Sequence, residues 1–188
     1  MSVAAVGSIL RVPADLIWNP TTFPGGSSPY GGTYLGLARD KEFIPEPQLR
    51  PVWGEVLGTW KDVFYCGEKV RLDAVLRYPD TDAITTIAFK AFAPGSSGTN
   101  FLFRPGGTTA NTRAGTSLYA SAGVLLLAAR ANVDHPFVIM YKAIPVISSE
   151  ALLRFSMGEE WGLKVSFYGS IDTSGRNYAH GRRANLTL

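Results

Sequence analysis

His135 and His180 are the only histidines of the chain and Cys66 its only cysteine, so any metal-binding or nucleophilic chemistry must be built around these three. Neither histidine stands at a ligand spacing from the other or from Cys66, which argues against a metal site. Asp134-His135 could be half of an acid/base pair, but an Asp-His step before Pro136 at a strand entry reads as a turn. No Gly-x-Ser-x-Gly elbow is present. The pairs Gly25-Gly26, Gly31-Gly32 and Gly106-Gly107 lack the Lys-Ser/Thr and the strand-to-helix context of a phosphate loop. Glu159-Glu160 is a carboxylate pair at a turn; adjacent residues on a strand point to opposite faces and adjacent carboxylates are usually solvated, so no active pair is expected. No catalytic residue and no cofactor is expected.

The elements around these residues read as strands. Trp161, Leu163, Val165 and Phe167 alternate with Lys164, Ser166 and Tyr168, the period of a half-buried strand. Asp172-Thr-Ser-Gly175 then supplies turn chemistry. Ala184 to Leu188 alternates again, so the C-terminal residues are expected in a sheet. Further strands are expected over residues 33–43, over 69–77 with Val70, Leu72, Ala74 and Leu76 on one face, and over 118–129, 136–147 and 152–157. One helix is expected, from about Thr81 to Phe92, because Ile84, Ile87, Ala88, Ala91 and Phe92 make one stripe between a cap at Asp80 or Thr81 and the stop at Pro94-Gly95.

The 188 residues suit a single domain, and 46% hydrophobic against 18% charged residues exclude a disordered chain. No apolar run approaches the roughly 20 residues of a membrane-spanning helix. The Met-Ser-Val-Ala start lacks a secretory pattern, which implies a cytoplasmic, reducing environment, with Cys66 a free buried thiol. Glycine and proline concentrate at residues 20–33 and 94–115. Residues 1–32 are therefore read as an N-terminal arm and 94–115 as a Gly-rich loop whose Phe101 and Phe103 have somewhere to dock. Residues 47–67 read as a connection. Its Trp53, Trp60 and Tyr65 suit an interface or a core, and no regular interleaving of Lys or Arg supports a base-stacking platform. The net charge is +3, and the one dense basic group, Arg176, Arg182 and Arg183 with His180, reads as a solvated or interface face, with phosphate contact as the alternative. The expected fold class is mainly β: an antiparallel β-sandwich or barrel with one flanking α-helix and extended loops or arms.

The order of Gly31-Gly-Thr-Tyr-Leu-Gly-Leu-Ala-Arg-Asp, Phe43-Ile-Pro-Glu46 and Gly67-Glu-Lys-Val-Arg-Leu-Asp-Ala-Val-Leu, followed by a short helix, resembles the tail tube (major tail) protein of long-tailed bacteriophages. Asp134-His-Pro-Phe-Val-Ile-Met-Tyr-Lys-Ala, Leu152-Leu-Arg-Phe-Ser and Glu160-Trp-Gly-Leu-Lys-Val-Ser-Phe-Tyr-Gly-Ser-Ile-Asp are similar to the closing strands and terminal turn of that family. The resemblance covers residues 33–188. It implies a structural virion protein: one tail-tube-like domain, six copies in a ring, and rings stacked into a hollow tube through which the genome is ejected. It also implies sheet edges that pair with neighbours, and partners among tape measure, distal tail and terminator proteins. Double-stranded DNA would pass through the lumen without sequence-specific binding, and nothing would insert in a membrane. Trp53, Trp60, Tyr65, Phe101, Phe103, Arg182 and Arg183 are then the candidate inter-subunit residues. Other components of the same fold, and a β-sandwich module that binds glycan or peptide, are the competing readings.

Overall fold

The computed structural model describes residues 13–22, 30–53, 60–77, 117–130, 136–147 and 162–182. They form one antiparallel sheet of seven strands: β1 (Ala14–Trp18), β2 (Thr33–Trp53), β3 (Trp60–Arg77), β4 (Gly123–Ala129), β5 (Pro136–Ile147), β6 (Leu163–Gly169) and β7 (Tyr178–Arg182). A short 3-10 turn, Leu118–Ser121, precedes β4. The strand order is β4-β1-β2-β3-β6-β5-β7, and a further β4–β5 pairing closes the circuit. Within that circuit β1 has a partner on both sides, whereas β7 pairs with β5 alone. β5 divides one edge between two partners, β7 at residues 136–140 and β6 at 143–147.

The mainly β class is as the sequence implies. Val70, Leu72, Ala74 and Leu76 are buried, as are Val165 and Phe167, and each set occupies the face that period-two alternation assigns. These residues join Leu16, Trp18, Leu35, Leu125, Leu127, Val138 and Met140 in the main core. A smaller cluster, with Ile17, Leu126, Phe137 and Ile139, lies on the opposite face of β1, β4 and β5. There the strands alternate between two apolar faces, which is why residues 125–129 are all buried.

Three readings need correction. Ala14–Trp18, inside the expected N-terminal arm, is an interior strand paired with β2 on one side and β4 on the other. Its five residues are too few to reveal a period. Residues 47–53 and 60–67 are no loose connection: β2 continues to Trp53 and β3 begins at Trp60, and the two pair as the far end of a long hairpin. Its prolines suggest a break, but Pro45, Pro47 and Pro51 share one parity on β2 and all pair with β3, on either side of a single-residue bulge in that strand. A proline fits such a ladder where its missing N–H faces away from the partner strand. Cys66 is exposed, because the register passes from Gln48–Gly67 to Leu49–Tyr65 and leaves it as the extra residue of a bulge. Gly67 supplies the φ of +121° that the bulge requires.

Several expectations lie outside the described residues. These are the helix over 81–92, the loop 94–115 with Phe101 and Phe103, the strands over 152–157 and 184–188, the 134–135 turn, Glu159, Glu160, Trp161 and Arg183.

Candidate functional site: an exposed apolar ribbon

The hairpin outruns the sheet that supports it. β6 pairs with β3 only from Val70 to Leu76, and β1 pairs with β2 only as far as Ala38. Beyond Val70 and Pro45 the two strands run on together as a two-stranded ribbon to Trp53 and Trp60. An isolated ribbon of this kind has little intrinsic stability in water, so its side chains decide its use.

On β2 the alternation is unbroken from Phe43 to Trp53, so Phe43, Pro45, Pro47, Leu49, Pro51 and Trp53 share the core-facing side. On β3 the core residues Val70 and Leu72 are even-numbered, whereas Val63 and Tyr65 are odd. The Cys66 bulge reverses the parity and returns Val63 and Tyr65 to that same side, opposite Pro51 and Leu49. The core face therefore continues outward as a strip of Leu49, Pro51, Trp53, Val63 and Tyr65, of which Leu49, Trp53 and Tyr65 are 54%, 60% and 63% exposed. The other side is mixed, with Gln48, Arg50, Val52, Asp62 and Phe64.

The junction between core and strip is built by β7. Tyr178 packs against the core, its ring meeting Phe43 edge-on at 5.1 Å, and its hydroxyl donates to Glu68 Oε1 at 3.0 Å. Burial first, and then the Glu68 carboxylate, pushes the Tyr178 phenol above its usual value. Asn177 Nδ2 donates to the Glu68 carbonyl at 3.4 Å, which shows that this carbonyl points away from β2. His180, the one histidine among the described residues, stacks on Tyr178.

Of the predicted site residues, Trp53 and Tyr65 lie on the strip, and Trp60 is opposite Trp53 in the ladder. Arg182 is exposed at the end of β7. The expected basic group does not act as a unit, because Arg176 is engaged within the chain. Its Nε and terminal nitrogen each lie 2.9 Å from Asp172 Oδ2, and its guanidinium sits 4.1 Å from the Tyr141 ring centroid. Asp172 Oδ1 also accepts the N–H groups of Ser174 and Arg176 at 2.9 and 2.7 Å, and Gly175 takes a φ of +78°. This is the turn that the Asp-Thr-Ser-Gly stretch suggests.

A second apolar patch, not singled out from the sequence, lies on the outer face near the base of the ribbon. Tyr168 is opposite Ile144 across the β5–β6 pair. Lys142, two residues before Ile144, holds its ammonium 4.5 Å from the Tyr119 ring. The Tyr119 hydroxyl donates to the Ile171 carbonyl at 3.0 Å. Tyr168 and Ile171 are 43% and 59% exposed. Only the tertiary pairing unites these residues, since they come from widely separated parts of the chain. Alongside them Arg71 Nε lies 3.0 Å from Asp73 Oδ2, and the Asp73 charge, together with Tyr168, raises the already high Arg71 pKa.

Among the described residues no group of three or more His, Cys, Asp or Glu is placed to hold a metal ion, and no helix is long and apolar enough to cross a membrane. The chain matches no protein-family model, and no curated protein sequence matches it.

Proposed function

We propose that the chain is a structural subunit that assembles with copies of itself, forming rings that stack into a hollow tube of the kind the tail-tube resemblance implies. The observation that carries this reading is the ribbon. A strip made of the same residue types as the core leaves the sheet and stays exposed. Exposed apolar surface of this extent in an ordered element is a mark of an interaction face. Two of its large residues, Trp53 and Tyr65, are of the kinds that concentrate binding energy at interface centres. On this reading the subunit acts in a virion and performs no catalysis. Double-stranded DNA in the lumen is met only through weak, salt-sensitive phosphate contacts, and exposed Arg182 faces a neighbouring subunit or the outer surface.

The test is light scattering with negative-stain microscopy of the purified chain over a range of concentrations and salt. Rings or tubes are expected. A 20.3 kDa monomer under every condition overturns the proposal and leaves the glycan- or peptide-binding module as the reading to pursue.

A further inference from the structure

The ribbon and the patch face opposite sides of one sheet. The strip continues the side of Phe43 and Pro45, whereas Tyr168 points away from the core that its neighbour Phe167 enters. One molecule therefore cannot seat its own strip on its own patch, but a second copy can.

The character of the two surfaces also matches. The strip carries no charge, and its exposed members are aromatic or aliphatic. The patch offers Tyr119, Ile144, Tyr168 and Ile171 around Lys142, whose ammonium already lies over one ring and can face further aromatic surface. A nucleic acid or an acidic peptide would find no cationic row on the strip.

Association through the ribbon's edges is disfavoured on both sides. On β2, Pro45, Pro47 and Pro51 remove outward donors in a row of alternating positions. On β3, the Val63 N–H is already taken by Asp62 Oδ1 at 2.7 Å, and the Cys66 bulge interrupts the row. Proline, an edge charge and a bulge are the devices that keep a sheet from adding strands, so the face is left as the route to a partner.

We propose that the chain associates head to tail, the strip of Leu49, Trp53 and Tyr65 on one copy seating on the patch of Tyr119, Tyr168 and Ile171 on the next. Two different surfaces meet in such a contact, so it propagates, closing into a ring or growing into a filament according to the rotation between copies. This rests on the self-assembly reading above and adds its geometry.

The test uses two double variants of the full chain, each checked for parental circular dichroism. In the ribbon variant, Leu49→Gln and Tyr65→Glu spoil the strip and leave the patch. In the patch variant, Tyr168→Ser and Ile171→Glu do the reverse. If either glutamate prevents folding, Tyr65→Ser or Ile171→Ser replaces it. Alone, each variant should remain monomeric under conditions in which the parent assembles. Mixed in equal amounts they should give a heterodimer of twice the monomer mass and nothing larger, because one intact strip and one intact patch remain. A mixture that stays monomeric overturns the head-to-tail geometry, as does parental assembly by either variant alone. A parent that never assembles removes the self-assembly reading itself, which distinguishes the two failures.

Discussion

The Tyr178 hydroxyl bonds to Glu68 where the buried face of β3 becomes the exposed face of the ribbon, at 3.0 Å. Glu68 is the charged residue on the core-facing side between Val70, which is buried, and Tyr65, which is not. One hydrogen bond thus joins the β5–β7 ladder to the root of an element that β6 no longer supports. Tyr178→Phe keeps the ring against Phe43 and removes the bond, so it should cost about 1 kcal/mol. Faster hydrogen exchange should follow at the root of the ribbon, near Glu68, and not in β4. The folded-state pKa of Tyr178 is raised, by burial and then by Glu68. The contribution of the neutral phenol is therefore complete below the ordinary value of 10.0 and is lost as pH rises through the higher folded value. Denaturant unfolding of parent and variant should converge above that range. Parallel curves from neutral to strongly alkaline pH would show that the bond contributes nothing.

The Asp172 turn should be the acid-sensitive element. Desolvation works against its ionised form. The N–H groups of Arg176 and Ser174 and the Arg176 guanidinium outweigh that effect and hold its pKa below the ordinary aspartate value. A depressed carboxylate pKa gives stability that is present above the unfolded value and is lost as pH falls through the folded one. The turn should therefore loosen below about pH 4, read by NMR shifts of Ser174 and Arg176. Asp172→Ala should reproduce that spectrum at neutral pH. If the shifts of the variant match the parent's, the carboxylate does not organise the turn.

Phe167 and Tyr168 are adjacent and face opposite ways, which separates core from surface in one pair of substitutions. Phe167→Ala empties a fully buried site and should cost about 3–5 kcal/mol. Tyr168→Ala should cost under about 1 kcal/mol, since surface positions rarely exceed that. Equal losses in chemical unfolding would mean that the outer face of β6 is covered.

Much of the sheet was legible because alternation survives wherever one face is buried. Val70 to Leu76 and Val165 to Phe167 announce their faces from the sequence alone. Asp172 to Gly175 announces a turn by the chemistry of aspartate and glycine. The ribbon was not legible, since Pro45, Pro47 and Pro51 look like strand breakers until the ladder shows that their missing donors fall on one outward edge. The parity change between Tyr65 and Val70 likewise reads as loss of period, although a bulge restores it. Nor could local pattern place Ala14–Trp18 between β2 and β4, because its partners on β4 lie more than a hundred positions away. Trp53 and Tyr65 were recognisable as interface residues by type. Their shared face depended on the bulge.

The prolines of β2 should act as guards against uncontrolled strand addition. Pro47→Thr with Pro51→Thr restores two outward donors on a strand whose type favours sheet, and Asp62→Ala releases the Val63 N–H on the other edge. Fold and core are untouched, because all of these positions lie on the ribbon, so thermal unfolding should shift little. The expected change is in how molecules associate. The triple variant should form thioflavin-positive fibrils at concentrations where the parent does not, since an unguarded edge is a template for the next strand. Fibrils from the proline pair alone, with none from Asp62→Ala, would place the guard on β2. If all the variants stay fibril-free under prolonged agitation, the prolines have no protective part and the closed-edge account of the ribbon is wrong.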